Sequence, residues 1–160
     1  MKLSNGDRLP DGSFGIMTTS GPGSLSTQDL FSGKKVVLFS VPGAFTPTCS
    51  EEHLPGFIEN AEAIRQRGVD TIACTAVNDI FVMTAWASDQ GADDQILMLA
   101  DGNADYVRKL GLELDGTAFG LGIRGQRFAM VVDDGALTTL LVDEPGKFEV
   151  TSAEVILEHL

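Results

Sequence analysis

Cys49 is the side chain in this sequence with the clearest chemical potential. It ends the segment 41–49, which follows an apolar run at residues 36–39, and the residues after it have the pattern of a helix. A thiol at the start of a helix lies beside unpaired backbone N–H groups and the positive end of the helix dipole. Both favour the thiolate, which is the nucleophilic form of cysteine. The sequence therefore predicts a reactive cysteine at a strand-to-helix junction.

Alternating strand and helix patterns surround this cysteine. Strands are predicted at residues 35–40, 71–77, 96–100, 127–132 and 137–142, and helices at residues 50–66, 80–88, 105–110 and 152–160. Pro55 predicts a bend or break in the first helix, and Asp134-Gly135 predicts a hairpin between the last two strands. Residues 12–27, rich in Gly, Ser and Thr, indicate turns and short edge strands in an N-terminal extension.

This order of elements predicts an α/β fold with a central mixed β-sheet flanked by helices. A β-α-β unit followed by a β-β-α closure is also the connectivity of the thioredoxin core. In that fold the reactive thiol lies at the start of the first core helix, where Cys49 is found.

Composition narrows the class of protein further. The 160 residues carry a net charge of −12, which argues against nucleic acid or an anionic membrane surface as a partner. No apolar run approaches the ~20 residues of a membrane span, and the N-terminus lacks the pattern of a signal peptide. We expect a single domain over residues 1–160, located in the cytoplasm, whose two cysteines are free or catalytic.

The spacing Pro42-x-x-x-Thr46-x-x-Cys49 matches the active-site pattern of the peroxiredoxins. The longer run at residues 41–49 resembles their type II subfamily, which is related to the mammalian atypical two-cysteine enzyme. Three further segments match that subfamily, residues 53–57, 77–82 and 127–132. The resemblance covers nearly the whole chain and implies a thioredoxin-like fold and a thiol-dependent peroxidase.

The resemblance also implies a role for each matched residue. Cys49 would attack hydrogen peroxide or an alkyl hydroperoxide and become a sulfenic acid. Arg127 would supply a positive charge beside the thiolate, and the Thr46 hydroxyl would accept one hydrogen bond and donate another. Pro42 would shield the thiolate. Arg124 competes with Arg127 for the charged position, although its neighbours do not match the family.

Supporting positions flank these four residues. Gly43, Ala44 and Phe45 would line the pocket, and the backbone N–H groups near Ala44 and Phe45 would complete a peroxide cradle with that of Cys49. His53 is expected to pack and to hydrogen-bond near the site rather than to act as a base.

Cys74 lies in a predicted strand among apolar residues, and two interpretations stay open for it. One is a small buried side chain, and the other is a resolving thiol, as considered for plant type II relatives. A direct bond to Cys49 would need Cα atoms within ~7 Å. The mammalian relative has its resolving cysteine near the C-terminus, where this chain has Thr151. An outside thiol is therefore expected as reductant, either glutathione with glutaredoxin or thioredoxin.

Two other functions are alternatives to a peroxidase. A redox-inactive binding or chaperone module on the same fold would leave Cys49 unreactive. A thioredoxin-like disulfide exchanger needs two close thiols, and Thr46 occupies the first position of the Cys-x-x-Cys spacing. The two Cys and two His lack metal-ligand spacing, so neither a metal nor another cofactor is expected. As in type II relatives, a homodimer is expected.

Overall fold

The structure is a computed structural model that describes residues 3–92 and 94–160. Its strands are β1 (Ser13–Thr18), β2 (Gly21–Ser26), β3 (Lys35–Ser40), β4 (Thr71–Ala76), β5 (Leu97–Ala100), β6 (Glu113–Asp115), β7 (Ile123–Gly125), β8 (Phe128–Asp133) and β9 (Ala136–Val142). Seven of them form one sheet in the order β2-β1-β5-β4-β3-β8-β9, while β6 and β7 pair separately. β3 and β5 run parallel to β4, whereas β8 runs antiparallel to both β3 and β9. The predicted central mixed sheet is confirmed.

Helices and helical turns connect these strands. They are α1 (Thr27–Phe31), a π-helical turn (Cys49–His53), α2 (Leu54–Glu59), α3 (Ala61–Arg65), α4 (Ile80–Gln90), α5 (Asp105–Leu110), a 3₁₀ turn (Thr117–Phe119) and α6 (Ala153–Glu158). Asp79 caps α4 by accepting the N–H of Val82 at 2.8 Å. Ser152 caps α6 in the same way through the N–H of Val155 at 3.2 Å.

The sheet is covered on both faces, and β3 shows the alternation that this requires. Val37 and Phe39 belong to the apolar layer that contains Cys49, α2 and α4. Val36 and Leu38 belong to the opposite layer, which contains α5. A strand buried on both faces appears in the sequence as a continuous apolar run, which is why β3 was recognisable.

The helix predicted for residues 50–66, with a bend or break at Pro55, is confirmed over most of its length but is interrupted elsewhere. Before Pro55 the backbone widens into the π-helical turn, in which the Leu54 N–H bonds to the Cys49 carbonyl five residues back. A proline ring in an α-helix clashes with the carbonyl four residues earlier, and a wider turn relieves that clash. The interruption falls later, at Asn60, where φ is −100° and ψ is 5°. Pro55 therefore reshapes the turn that carries Cys49 instead of bending the helix after it.

The N-terminal extension was predicted only in part. β1 and β2 form a hairpin, and β2 is an edge strand as expected. β1 is an interior strand, because Gly15 pairs with Ala100 of β5. The sequence did not indicate β6, β7 or the 3₁₀ turn between them, since each has only three residues.

Candidate active site

Cys49 lies in the first turn of a helix that begins directly after the loop leaving β3. The helical hydrogen bonds start with the Ser50 N–H, which donates to the Thr46 carbonyl at 3.0 Å. Pro47 occupies the first helical position, where its missing N–H leaves no helical bond unmade. The Cys49 side chain is fully buried. The predicted position of the thiol at a helix start is thus what the backbone shows.

Arg127 reaches Cys49 because of the register between β3 and β8. Ser40, the last residue of β3, pairs with Phe128, the first residue of β8. Arg127 therefore lies just beyond the end of β3, where the loop to Cys49 leaves the sheet. Its Nη2 donates to Cys49 Sγ at 3.2 Å. A permanent positive charge is held against a buried sulfur.

His53 binds the other side of the Arg127 guanidinium. Arg127 Nη1 donates to His53 Nδ1 at 2.8 Å. Because a guanidinium has only donors, Nδ1 accepts, and the ring proton is on Nε2, which donates to the Thr151 carbonyl at 2.9 Å. Burial, helped by the Arg127 charge, lowers the pKa of His53 to about 3. His53 is therefore neutral near pH 7 and is held in one tautomer.

The segment between β9 and α6 closes over this pair of side chains. Asp143 Oδ1 accepts the backbone N–H groups of Glu149 and Val150, each at 2.9 Å. Asp143 Oδ2 accepts the Thr151 hydroxyl at 2.7 Å. Burial acts to raise the pKa of Asp143, but these hydrogen bonds outweigh it, and the pKa lies below its usual value. Neither Asp143 nor this segment was recognised as part of the site from sequence.

The loop before Cys49 is tied to two other loops. Arg124 donates through Nη1 to the Pro42 carbonyl at 3.3 Å and through Nε to the Leu121 carbonyl at 2.9 Å. Arg124 thus binds loop carbonyls, whereas Arg127 is the arginine that binds the sulfur. A Cβ atom at Gly43 would lie 2.8 Å from Arg124 Nη1, so any larger residue there would displace the Arg124 guanidinium.

One expectation about this loop was wrong. The Ala44 N–H is not free to bind a substrate, because it donates to Asn78 Oδ1 at 2.9 Å. Phe45 has a left-handed backbone with φ of 64°, and its side chain is 52% exposed. Thr46 Oγ1 donates its proton to the Gly43 carbonyl at 2.7 Å, so its lone pairs can only accept from a ligand.

Comparisons with known proteins agree with this geometry. The profile of the redoxin family matches residues 4–157. Peroxiredoxin-2C of Oryza sativa subsp. japonica is 48% identical over 156 residues, which are 97% of this chain and 96% of that protein. The chain is a type II peroxiredoxin. Peroxiredoxin-2E, chloroplastic, of Arabidopsis thaliana is 45% identical, and the alignment covers 99% of this chain and 69% of that protein.

A solved structure gives the same result for the fold. Reduced Prx3 from Vibrio vulnificus, in complex with hydrogen peroxide, superposes with a TM-score of 0.94 at 51% identity and 98% coverage of both chains. The thioredoxin-like fold of this peroxiredoxin is confirmed, and so is its class of activity: it is a thiol-dependent peroxidase.

A cavity of about 210 Å³ opens beside the buried thiol of this peroxiredoxin. Its lining includes Pro42, Thr48 and Arg127, and also Glu144 and Lys147, which form an exposed ion pair at 3.4 Å. Cys49 itself is not on the cavity wall, and neither are Gly43, Ala44 and Phe45, which were expected to line the pocket.

Cys74 lies in the interior of β4 and faces the same apolar layer as Cys49. It is fully buried and pairs with Phe39 across the sheet. Burial, and then the proximity of Cys49, raise the pKa of the Cys74 thiol. Both cysteines are free thiols, and Cys74 is held as the uncharged, weakly nucleophilic form.

Two further observations on residues 3–92 and 94–160 concern membranes and metal ions. None of its helices is long and apolar enough to cross a membrane. The same residues contain no group of three or more His, Cys, Asp or Glu side chains arranged to hold a metal ion.

Proposed function

We propose that Cys49 is the peroxidatic nucleophile of this enzyme and that Arg127 activates it. The observation that carries the proposal is the contact of Arg127 Nη2 with Cys49 Sγ at 3.2 Å in a buried environment. The thiolate attacks one peroxide oxygen, the O–O bond breaks, and the leaving oxygen takes up the proton that the thiol gave up. The products are a Cys49 sulfenic acid and water or an alcohol.

Thr46 and Pro42 complete the proposed site. The Thr46 hydroxyl proton is bound to Gly43, so the oxygen accepts the O–H of the peroxide and orients it toward the sulfur. Pro42 lines the cavity beside Arg127 and limits the access of water. Arg127 stabilises the charge on sulfur and oxygen as the O–O bond lengthens. Hydrogen peroxide and small alkyl hydroperoxides fit a cavity of about 210 Å³.

An outside thiol is proposed as the reductant. Thr151 cannot form a disulfide, and Cys74 is fully buried in β4. A small thiol such as glutathione displaces the sulfenic oxygen as water, leaving a mixed disulfide on Cys49 that glutaredoxin reduces. Thioredoxin is the second candidate. Because Cys49 is fully buried, either reductant requires the helix start around Cys49 to open so that the two sulfurs can meet.

The test compares peroxide consumption by wild type, Cys49→Ser and Cys74→Ser. Glutathione with glutaredoxin and thioredoxin with its reductase are supplied in separate reactions. Cys49→Ser is expected to lose turnover, and Cys74→Ser is expected to keep it. Unchanged turnover in Cys49→Ser would contradict the proposed nucleophile and favour a redox-inactive site. Loss of turnover in Cys74→Ser, with sulfenic acid still formed, would assign the resolving role to Cys74.

A homodimer is proposed through the loops around Cys49. Phe45, Phe81 and Phe119 are 52%, 66% and 84% exposed. Phe45 lies in a loop, Phe119 in the 3₁₀ turn and Phe81 in the first turn of α4. These segments are neighbours, since Asn78 binds Ala44 and Arg124 joins Pro42 to Leu121. Exposed aromatic side chains on adjoining segments favour association. Sedimentation velocity should show a dimer that Phe119→Ser weakens, and a monomeric wild type would contradict this proposal.

The cytoplasm is the proposed compartment. Two free, buried thiols suit a reducing environment. Fluorescence microscopy of the full chain with a C-terminal tag tests this, and an organellar signal would contradict it.

A further inference from the structure

We propose that Asp143 and Thr151 are positioning residues for the peroxidatic pair, because they hold His53 in the tautomer that fixes Arg127 against Cys49. Neither residue touches the sulfur. The inference rests on the roles proposed above for Cys49 and Arg127.

Four successive hydrogen bonds connect the Asp143 carboxylate to the sulfur. The Thr151 hydroxyl donates to Asp143 at 2.7 Å, and His53 Nε2 donates to the Thr151 carbonyl at 2.9 Å. Arg127 then donates to His53 Nδ1 at 2.8 Å and to Cys49 Sγ at 3.2 Å. Asp143, Thr151 and His53 are 4%, 0% and 0% exposed, so water does not readily replace a missing partner.

The direction of these hydrogen bonds makes the Thr151 carbonyl decisive. Arg127 has only donors, so His53 must present an unprotonated Nδ1 to it. That requires the ring proton to stay on Nε2, where it needs a buried acceptor. The Thr151 carbonyl is that acceptor. If the carbonyl moves away, the Nε2 proton loses its partner, and the other tautomer would turn an N–H toward the Arg127 donor.

The segment that carries Thr151 has no ladder or helix to hold it. Residues 143–152 form turns and bends between β9 and α6. The Asp143 carboxylate instead closes the segment on itself by accepting the N–H groups of Glu149 and Val150 together with the Thr151 hydroxyl. Asp143 is in turn held near Arg127, since its N–H donates to the Arg127 carbonyl at 2.9 Å.

Phe148 extends the same arrangement over the guanidinium. Its ring centroid lies 4.9 Å from that of His53 and 5.8 Å from Arg127 Cζ. The ring therefore packs against both side chains that the Asp143–Thr151 pair positions. Closure of the segment by Asp143 keeps this cover in place.

The experiment compares Thr151→Val, Thr151→Ser and Asp143→Asn in the full chain. Thr151→Val removes the hydroxyl and keeps the side-chain volume and the carbonyl, whereas Thr151→Ser keeps the hydroxyl. Thr138→Val is the control for loss of a threonine hydroxyl elsewhere, because the exposed Thr138 donates its hydroxyl to the Val131 carbonyl at 3.0 Å outside the site. The first readout is kcat/KM for hydrogen peroxide. The second is the His53 tautomer from ¹⁵N NMR of the imidazole ring.

Thr151→Val and Asp143→Asn are expected to lower kcat/KM about tenfold, the effect of one buried hydrogen bond. They should also replace the single Nε2–H tautomer by a mixture. Thr151→Ser should restore both readouts, and Thr138→Val should change neither. The proposal would be overturned if Thr151→Val and Asp143→Asn both kept the wild-type His53 tautomer and the wild-type kcat/KM. Because the NMR readout needs no turnover, an inactive wild type would contradict the proposed function and leave the positioning role separately tested.

Discussion

Replacing His53 by glutamine should remove a defined part of the acid sensitivity of this protein. The folded-state pKa of His53 is about 3, against 6.5 for an ordinary histidine, because the ring is buried and faces the Arg127 charge. Below pH 6.5 the unfolded chain binds a proton that the folded chain refuses. His53 therefore lowers the free energy of unfolding as the pH falls from 6.5 toward 3. Glutamine has no such titration, yet it can donate to Thr151 and accept from Arg127.

The size of the effect follows from the two pKa values. At about pH 5.5, one unit below the unfolded-state pKa, the penalty is about 1.4 kcal/mol, and at about pH 7.5 it is close to zero. A pH of 5.5 also stays above the isoelectric point of about 4.3. Carboxylates titrate over the same range in every variant, so the informative quantity is the difference between variants in the change of stability with pH.

Urea unfolding followed by the fluorescence of Trp86, the single tryptophan, measures this difference. Wild type should lose about 1.4 kcal/mol more than His53→Gln between about pH 7.5 and pH 5.5. His159→Gln is the matched control, because His159 is exposed near the C-terminus, and it should behave as wild type. Equal losses in wild type and His53→Gln would show that His53 takes up a proton in the folded state over this pH range, which would contradict a single neutral tautomer.

Three further predictions concern the thiol and its neighbours. Thr46→Val should lower kcat/KM for hydrogen peroxide by about 10²-fold while Thr46→Ser stays near wild type; equal rates in the two variants would exclude the hydroxyl as an acceptor. Arg127→Met should lower the rate of Cys49 oxidation by about 10²-fold, measured by stopped flow, whereas Arg124→Met should cost only a few-fold, because Arg124 binds the Pro42 loop and not the sulfur. Cys74→Ala should keep turnover with glutathione. In the wild-type protein, mass spectrometry after brief alkylation should find Cys74 unlabelled, and rapid labelling of Cys74 would contradict its burial.

Much of the fold was predictable because its determinants are local. The apolar run that became β3 and the Asp134-Gly135 turn carry their own signals over a few residues. The three-residue strands β6 and β7 carry too little periodicity to be recognised. The helix after Cys49 was predicted only in part, because the sequence pattern indicated neither the π-helical turn before Pro55 nor the interruption at Asn60. That residues 1–160 form one domain stays a prediction.

The residues of the candidate site can be divided in the same way, into those with a local sequence signal and those without one. Pro42, Thr46 and Cys49 lie within one short segment, and their spacing carried the resemblance to the peroxiredoxins. Arg127 was assigned by resemblance, and the strand register explains its position, since Ser40 pairs with Phe128. The Asp143–Thr151 pair and the use of the Ala44 N–H by Asn78 had no sequence signal.

Contacts between residues that are close in sequence are thus determined by the order of the residues, because such residues meet whatever the rest of the fold is. The proposal of Cys49 as the nucleophile belongs to that level. Which nitrogen of His53 carries its proton, which arginine binds the sulfur and which backbone N–H is already used are settled by partners 34 to 98 residues away. Those partners meet only when the sheet register and the closing segment bring them together, since hydrogen bonds act over about 3 Å and their direction depends on the exact placement of both groups.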